Sequence, residues 1–305
     1  MRSQVPAVAA ALALLAGCGG SDSGSNATTA GSGKPPAGSI EALWKAPGED
    51  VGMIQGTRDY APGAVRVTFL VIRGDGAAVE RPRARVWLAR GLKQKPFLEA
   101  TARLEPIGVP GGGTDALALY VAEVSVDRPG KYWMLAEPIG APRPIQALGN
   151  VVVNESPASP EIGAPAPESR TPTLESADGE LEALSTATKP EPALYRWSVA
   201  DSLDAGAPFV LAFATPRFCE SRTCGPTVDV VDAVRRRFER DGVRFIHVEI
   251  YEDNDPAKPV NRWVKEWSLP SEPWVFVVGR DGRVASKFEG AVSVSELTAA
   301  VEQVA

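Results

Sequence analysis

Between residues 40 and 153 apolar positions alternate with polar ones at a period of two, and almost no helical periodicity is present. Strands are predicted at Ala64–Ile72, Ala84–Ala89, Thr101–Pro106, Leu117–Val126, Lys131–Ala136 and Ala147–Val153. Turn residues punctuate them, at Gly74-Asp75-Gly76 and from Asp127 to Gly130. Short alternating strands separated by Gly/Pro turns predict an antiparallel β-sandwich. Residues 154–172 then hold five prolines in nineteen positions, which reads as a Pro-rich linker and a domain boundary. From residue 173 the pattern changes. Ser198–Leu203 reads as a short helix. Phe209–Ala214 is a continuous apolar run, the mark of a strand covered on both faces. A helix is predicted over Pro226–Arg240, with Val228, Val231, Val234 and Phe238 on one stripe. A strand at Val243–Ile250, a helix at Pro259–Trp267 and strands at Ser271–Val278 and Arg283–Phe288 follow. The last two are joined by the turn Gly279–Gly282. Ser293 and Glu296 open the last helix, to about Gln303, with a capping box.

The 305 residues are 44% hydrophobic and 23% charged, ordinary globular values with length for about two domains. The net charge of −6 and the lack of any basic run exclude nucleic acid as a partner. Three cysteines and one histidine cannot supply a zinc site of four cysteines, or one of two cysteines and two histidines. No metal and no cofactor is expected.

One cysteine is accounted for at the N-terminus. Arg2, the apolar run Val5–Leu15 and Leu15-Ala16-Gly17-Cys18 read as a signal peptide over residues 1–17, too short for a membrane span. The ending resembles a bacterial lipobox. That implies acylation of Cys18, a Gly/Ser/Thr-rich tether over residues 18–39, and a protein lipid-anchored to the outer face of the cytoplasmic membrane, in the cell envelope. With Cys18 carrying lipid, Cys219 and Cys224 are the remaining thiols. In an oxidising compartment they are each other's only intramolecular partner.

The two lie in the loop between the apolar run and the Gly225-Pro226 helix start. A thiol at a helix N-terminus is shifted toward thiolate by exposed amide N–H groups and the helix dipole. Arg217 and Arg222 favour the thiolate further. As a staple, a ring of about six residues contributes only about 2 kcal/mol, so redox use is the stronger reading. Cys224, nearest the helix start, is favoured as the nucleophile, with Cys219 resolving.

The order β–α–β–α–β–β–α is that of a thioredoxin domain, and three features make residues 173–305 resemble the thioredoxin family. The Gly279-Arg280-Asp281-Gly282 hairpin stands at the expected place. Cys224-Gly225-Pro226 resembles the first three residues of thioredoxin's CGPC. Glu272-Pro273 opens the third strand, where that family places a cis-proline beside the active thiol. The resemblance implies thiol–disulfide exchange, with Cys219, Cys224 and Pro273 in the site and Phe218, Glu272 and Trp274 around a substrate groove. The chain departs from the pattern in its C-x4-C spacing, in Thr227 at the second-cysteine position, and in Ala212 where the family's buried acid stands. Glu220 and Glu272 are the substitutes at hand for that acid. The roles of the two cysteines also swap if Cys219, following Phe218, corresponds to the family's first cysteine, which follows Trp. The N-terminal strands resemble an immunoglobulin-like domain in the Gly130-Lys131-Tyr132 run and in Trp87 as a core tryptophan, without the disulfide of that fold.

The sequence thus predicts a multidomain protein, an immunoglobulin-like sandwich at 40–153 followed by a thioredoxin-like α/β domain at 173–305. The expected function is that of a membrane-tethered extracytoplasmic thiol–disulfide oxidoreductase with a protein client in the envelope. The alternatives are a non-catalytic cell-surface scaffold, and a copper chaperone of the Sco type with His247 completing a site of two cysteines and one histidine. Glu249, Glu252, Asp253 and Asp255 read as a solvated acidic loop.

Overall fold

The computed structural model describes residues 34–109, 117–219 and 223–305. The expected signal segment, Cys18, most of the tether, Glu220 and Arg222 lie outside the described residues. Among the described residues no helix is long and apolar enough to cross a membrane.

The first region comprises α1 (Ile40–Trp44), β1 (Val51–Gln55), β2 (Gly63–Arg73), β3 (Arg83–Ala89), β4 (Leu98–Ile107), β5 (Leu117–Val126), β6 (Gly130–Pro138) and β7 (Ala147–Val153). Its strands form one antiparallel sheet in the order β1-β2-β5-β4-β3-β6-β7. The two edges approach each other. The Gln55 side-chain amide donates to the Asn150 carbonyl, and parallel bridges join Glu49 to Ile145 and Tyr60 to Val153. The sheet therefore curls into a sandwich close to a barrel. Its interior holds Phe69 and Tyr120, stacked with centroids 5.3 Å apart, with Val86, Met134 and Val151. Two buried tyrosine hydroxyls are partnered: Tyr120 donates to the Val79 carbonyl at 2.9 Å, and Tyr132 to the Arg128 carbonyl at 2.6 Å.

Sequence periodicity misses α1 and β1. Both are short, and Gly52 leaves β1 without a full apolar face. Trp87 is buried, but not in the main core. Val86 and Leu88 point inward, so Trp87 lies on the opposite face of β3, beneath α1 with Ile40, Ala89 and Leu135. Its indole N–H donates to Glu99 at 3.0 Å.

The second region comprises α2 (Leu181–Leu184), α3 (Val199–Asp204), β8 (Phe209–Phe213), α4 (Cys224–Arg237), β9 (Arg244–Val248), α5 (Arg262–Glu266), β10 (Trp274–Val278), β11 (Val284–Glu289) and α6 (Val294–Val301). The sheet order is β11-β10-β8-β9, with β8 and β9 parallel and the other pairs antiparallel. Every residue of β8 and β10 is buried, because helices cover both faces. One face packs Val210, Ala212 and Val275 against Val231 and Val234 of α4 and Leu297 and Val301 of α6. The other packs Phe213, Trp274 and Phe276 against Val199 of α3 and Val264 and Trp267 around α5. Capping boxes at Ser198 and Ser293 fix the starts of α3 and α6. Asn261 caps α5, so that helix begins after Pro259 rather than at it.

The Pro-rich stretch is tied down at both ends. Asp59 accepts from the Ala158 and Ser159 amides and from the Ser159 hydroxyl. Residues 163–166 exchange backbone hydrogen bonds with Gly282 and Val284 along the outer edge of β11. Residues 35–305 form one compact unit. The two regions meet at Glu289, whose carboxylate accepts the Arg58 and Asp59 amides at 2.7 and 2.8 Å. They meet again at Arg66, which donates to Glu296 at 2.7 Å and to the Ala291 carbonyl at 2.9 Å.

Candidate active site

β8 delivers its chain end, Ala214-Thr215-Pro216, to the base of the cysteine loop, and α4 leaves the loop at Cys224. Cys219 and Cys224 are joined as a disulfide, with Cα atoms 5.9 Å apart. The two sulfurs differ in environment. Cys219 is half-buried, whereas Cys224 is 0% exposed and packs with Val228 and Val231 in the α4 core.

The helix start is unusual in its capping. Thr223 at the cap position makes no side-chain cap bond. The Cys224 amide N–H donates instead to Cys219 Sγ at 3.3 Å. One of the orphan donors of the helix terminus is thus aimed at the outer sulfur. Pro226, two residues into the helix, has no N–H to satisfy, which suits it to the first turn. The helix-terminal N–H that the sequence associates with Cys224 reaches Cys219 Sγ in the structure.

The loop before β10 forms the other wall. The Glu272–Pro273 peptide is cis, and Pro273 is buried. A carboxylate oxygen of Glu272 and the two sulfurs all lie within 4.8 Å of one another. Glu272 Oε2 is closed off from solvent. Behind this loop, Ser271 Oγ donates to Glu289 at 2.7 Å and accepts the Trp274 indole N–H at 3.1 Å, and Gly290 N–H donates to the Pro273 carbonyl at 2.8 Å. Glu289 therefore connects the cis-proline loop to Arg58 and Asp59 of the first region. Val109, two residues past β4, packs against the same core cluster as Cys224.

No family model matches the chain. No curated protein matches it either. Among solved structures, a thiol:disulfide interchange protein of the thioredoxin family from Chlorobium tepidum TLS is 17% identical, over 35% of this chain and 85% of that one, with a TM-score of 0.29. The PKD domain of the human VPS10 domain-containing receptor SorCS2 is 11% identical, over 47% of this chain and 96% of that one, at a TM-score of 0.19. MtrC from Shewanella baltica OS185 is 12% identical, over 49% of this chain and 28% of that one, at a TM-score of 0.23.

The remaining candidates from the sequence fall in different places. Phe218 is half-buried beside Cys219, with the Arg217 guanidinium 5.6 Å over its ring. Trp274 is 1% exposed and stacks on Phe276, so it is core beneath cis-Pro273 rather than a groove floor by the thiols. Its remaining edge reaches a cavity of about 1100 Å³ between the two regions, lined also by Arg66, Lys287 and Glu289.

His247 is fully buried, and both ring nitrogens are occupied. Nδ1 pairs with the Tyr195 hydroxyl at 2.6 Å and Nε2 with the Ala214 carbonyl at 3.0 Å. With Nε2–H donating and Nδ1 accepting, the ring is neutral, and burial lowers its pKa. The ligand-type atoms gathered at the disulfide include Glu272 and not His247. Glu249 is also no solvated acid. It is buried and accepts the Thr186 amide and hydroxyl at 2.6 and 2.9 Å. Thr186 Oγ1 accepts in turn from the Arg217 amide, bracing the cysteine loop. Sequence reasoning missed this brace, because its members are 31 to 63 positions apart.

Proposed function

We propose that the protein is an extracytoplasmic thiol–disulfide oxidoreductase acting through Cys219 and Cys224, tethered to the membrane by lipid on Cys18. The observation that carries the reading is the asymmetric disulfide, a half-exposed sulfur at a helix N-terminus bonded to a fully buried one, beside a cis-proline. A nucleophile or electrophile must be reachable, and a low-pKa thiolate needs nearby donors. Cys219 meets both conditions, so it is the sulfur that a client attacks and the one that attacks a client. Cys224 is the resolving sulfur.

The finer fold assignments belong to the same reading. We read the strand order β11-β10-β8-β9, with its parallel β8–α4–β9 unit and antiparallel β10–β11 hairpin, as thioredoxin-like. We read the first region as an immunoglobulin-like sandwich on its strand groups β1-β2-β5-β4 and β3-β6-β7, which the β3–β4 pairing joins into one sheet. The Tyr132-to-Arg128 hydrogen bond has the form of a tyrosine corner. We assign residues 1–17 to a signal peptide, 18–39 to the tether, 40–153 to the sandwich, 154–172 to the linking segment and 173–305 to the redox domain.

Replacing Cys224 by Ser leaves Cys219 able to attack a client disulfide and unable to release it. Immobilised Cys224→Ser protein incubated with envelope extract should retain clients that dithiothreitol elutes. An empty trap, with the wild-type disulfide resisting dithiol reduction in the folded state, removes the oxidoreductase reading and leaves a surface scaffold.

A further inference from the structure

Breaking the disulfide places an electron pair on Cys224 Sγ, which has no exposure to water. Burial without a partner raises a thiol's pKa and disfavours its anion. The nearest backbone donor does not relieve this, because the Cys224 N–H points at Cys219. Cys224 therefore has to gain a proton as it leaves and lose one as it attacks.

The titratable groups on the surrounding elements narrow the source. His247 and Tyr195 bond each other, and His247 also bonds the Ala214 carbonyl. On α4, Asp229 lies five positions past Cys224, its own carboxyl pushed up by burial and then by Asp232. Arg217 is exposed and sits over Phe218. Glu220 and Arg222 lie outside the described residues. Glu272 alone among the described carboxylates is gathered with both sulfurs, within 4.8 Å, and one of its oxygens is shielded from solvent.

We propose that Glu272 is the proton donor and acceptor for Cys224, a catalytic residue brought to the sulfurs on the loop before β10. The proposal rests on the oxidoreductase reading. A client thiolate attacks Cys219 Sγ, and the client–Cys219 bond forms as the Cys219–Cys224 bond breaks. The electron pair passes to Cys224 Sγ, which takes the proton of the Glu272 carboxyl and leaves a carboxylate. A second client thiolate then attacks the client sulfur of the mixed disulfide. Cys219 departs as a thiolate held by the Cys224 N–H. The client has lost two electrons to the cysteine pair. In reverse, the Glu272 carboxylate takes the Cys224 proton as that sulfur attacks the mixed disulfide.

The test is stopped-flow reduction of the full chain by dithiothreitol across pH, in wild type, Glu272→Gln and Glu272→Asp. Glu272→Gln should slow release of Cys224 by about a hundred-fold and remove the limb of the pH profile that wild type shows as the carboxyl loses its proton. Glu272→Asp, which keeps the carboxyl one methylene shorter, should recover part of the rate and keep the limb. A Glu272→Gln protein with wild-type rate and profile overturns the proposal while leaving disulfide exchange intact. A wild-type disulfide that dithiothreitol does not reduce in the folded protein overturns both readings. If Glu272→Gln does not fold, Glu272→Asp decides, since a slowed rate with the limb displaced from its wild-type position supports the carboxyl and a wild-type rate and profile refutes it.

Discussion

The two sheets bury their residues in different ways. β4 of the first region alternates between covered and exposed positions, so one of its faces meets water. β8 and β10 of the second region are covered along their whole length. A sheet wet on one face writes its register into the sequence as alternation, and its outer face is free to vary. A sheet covered on both faces shows only apolar runs, and its chemistry moves to the loops at its strand ends. That is where Cys219, Cys224, Glu272 and Pro273 converge, the first pair on the loop after β8 and the second on the loop before β10. Among the described residues the first region contributes no cysteine, histidine or carboxylate to that cluster. It contributes support, through the Arg58 and Asp59 amides that Glu289 accepts and through Arg66.

The widest division between the regions is chemical. Cys219→Ser should reduce exchange with a dithiol client to the uncatalysed background, measured by insulin reduction or thiol trapping. The lost short ring should lower the stability of the second region by about 2 kcal/mol, with the sandwich unaffected. If Cys219→Ser keeps activity and only Cys224→Ser loses it, the buried sulfur is the reactive one and the assignment is reversed.

Glu289→Ala tests whether the regions are independent. The carboxylate is 8% exposed and serves two backbone amides and a hydroxyl. Its removal should cost about 2–3 kcal/mol in urea unfolding, and Arg58 and Asp59 amides should lose hydrogen-exchange protection together with Ser271-loop amides. Protection lost on one side only would separate the two regions.

His247 gives the second region a pH response that the sandwich lacks. Its folded pKa is lowered from 6.5 by burial, so the unfolded chain binds its proton first as pH falls. Its contribution is therefore intact above about pH 6.5 and is lost below it, at up to about 1.4 kcal/mol per pH unit until the folded-state pKa is reached. His247→Gln should flatten that part of the stability–pH curve; an unchanged curve would assign the response to other groups. The smallest effect belongs to the sandwich. Tyr132→Phe removes the hydrogen bond to Arg128 and should destabilise it by about 1 kcal/mol in thermal unfolding, leaving dithiol exchange at wild-type rate.

Much of the fold was legible because its causes are local. Alternation located six of the seven strands of the first region, and Ser293 with Glu296 announced the start of α6. The order of elements in the second region followed from its switch between apolar runs and helical stripes. The cysteine loop, its helix start and the proline after Glu272 were visible as residue types at fixed spacing. Other features were not legible. Trp87 and Trp274 read alike as large aromatics on strands. Only the packing puts one beneath α1 and the other against Phe276 in the core beside α5.

Period and residue count were enough to set most of the elements and to pair two thiols at a helix start. Long-range packing was needed to settle which sulfur is reachable and which receives the helix amide. It also brought Glu272, 53 positions from Cys219 in the chain, within reach of both sulfurs. The same holds for Glu289, which accepts amides 230 and 231 positions away. Burial and hydrogen-bond partnership arise from contacts between distant segments, and no local pattern encodes where a folded chain brings those segments together.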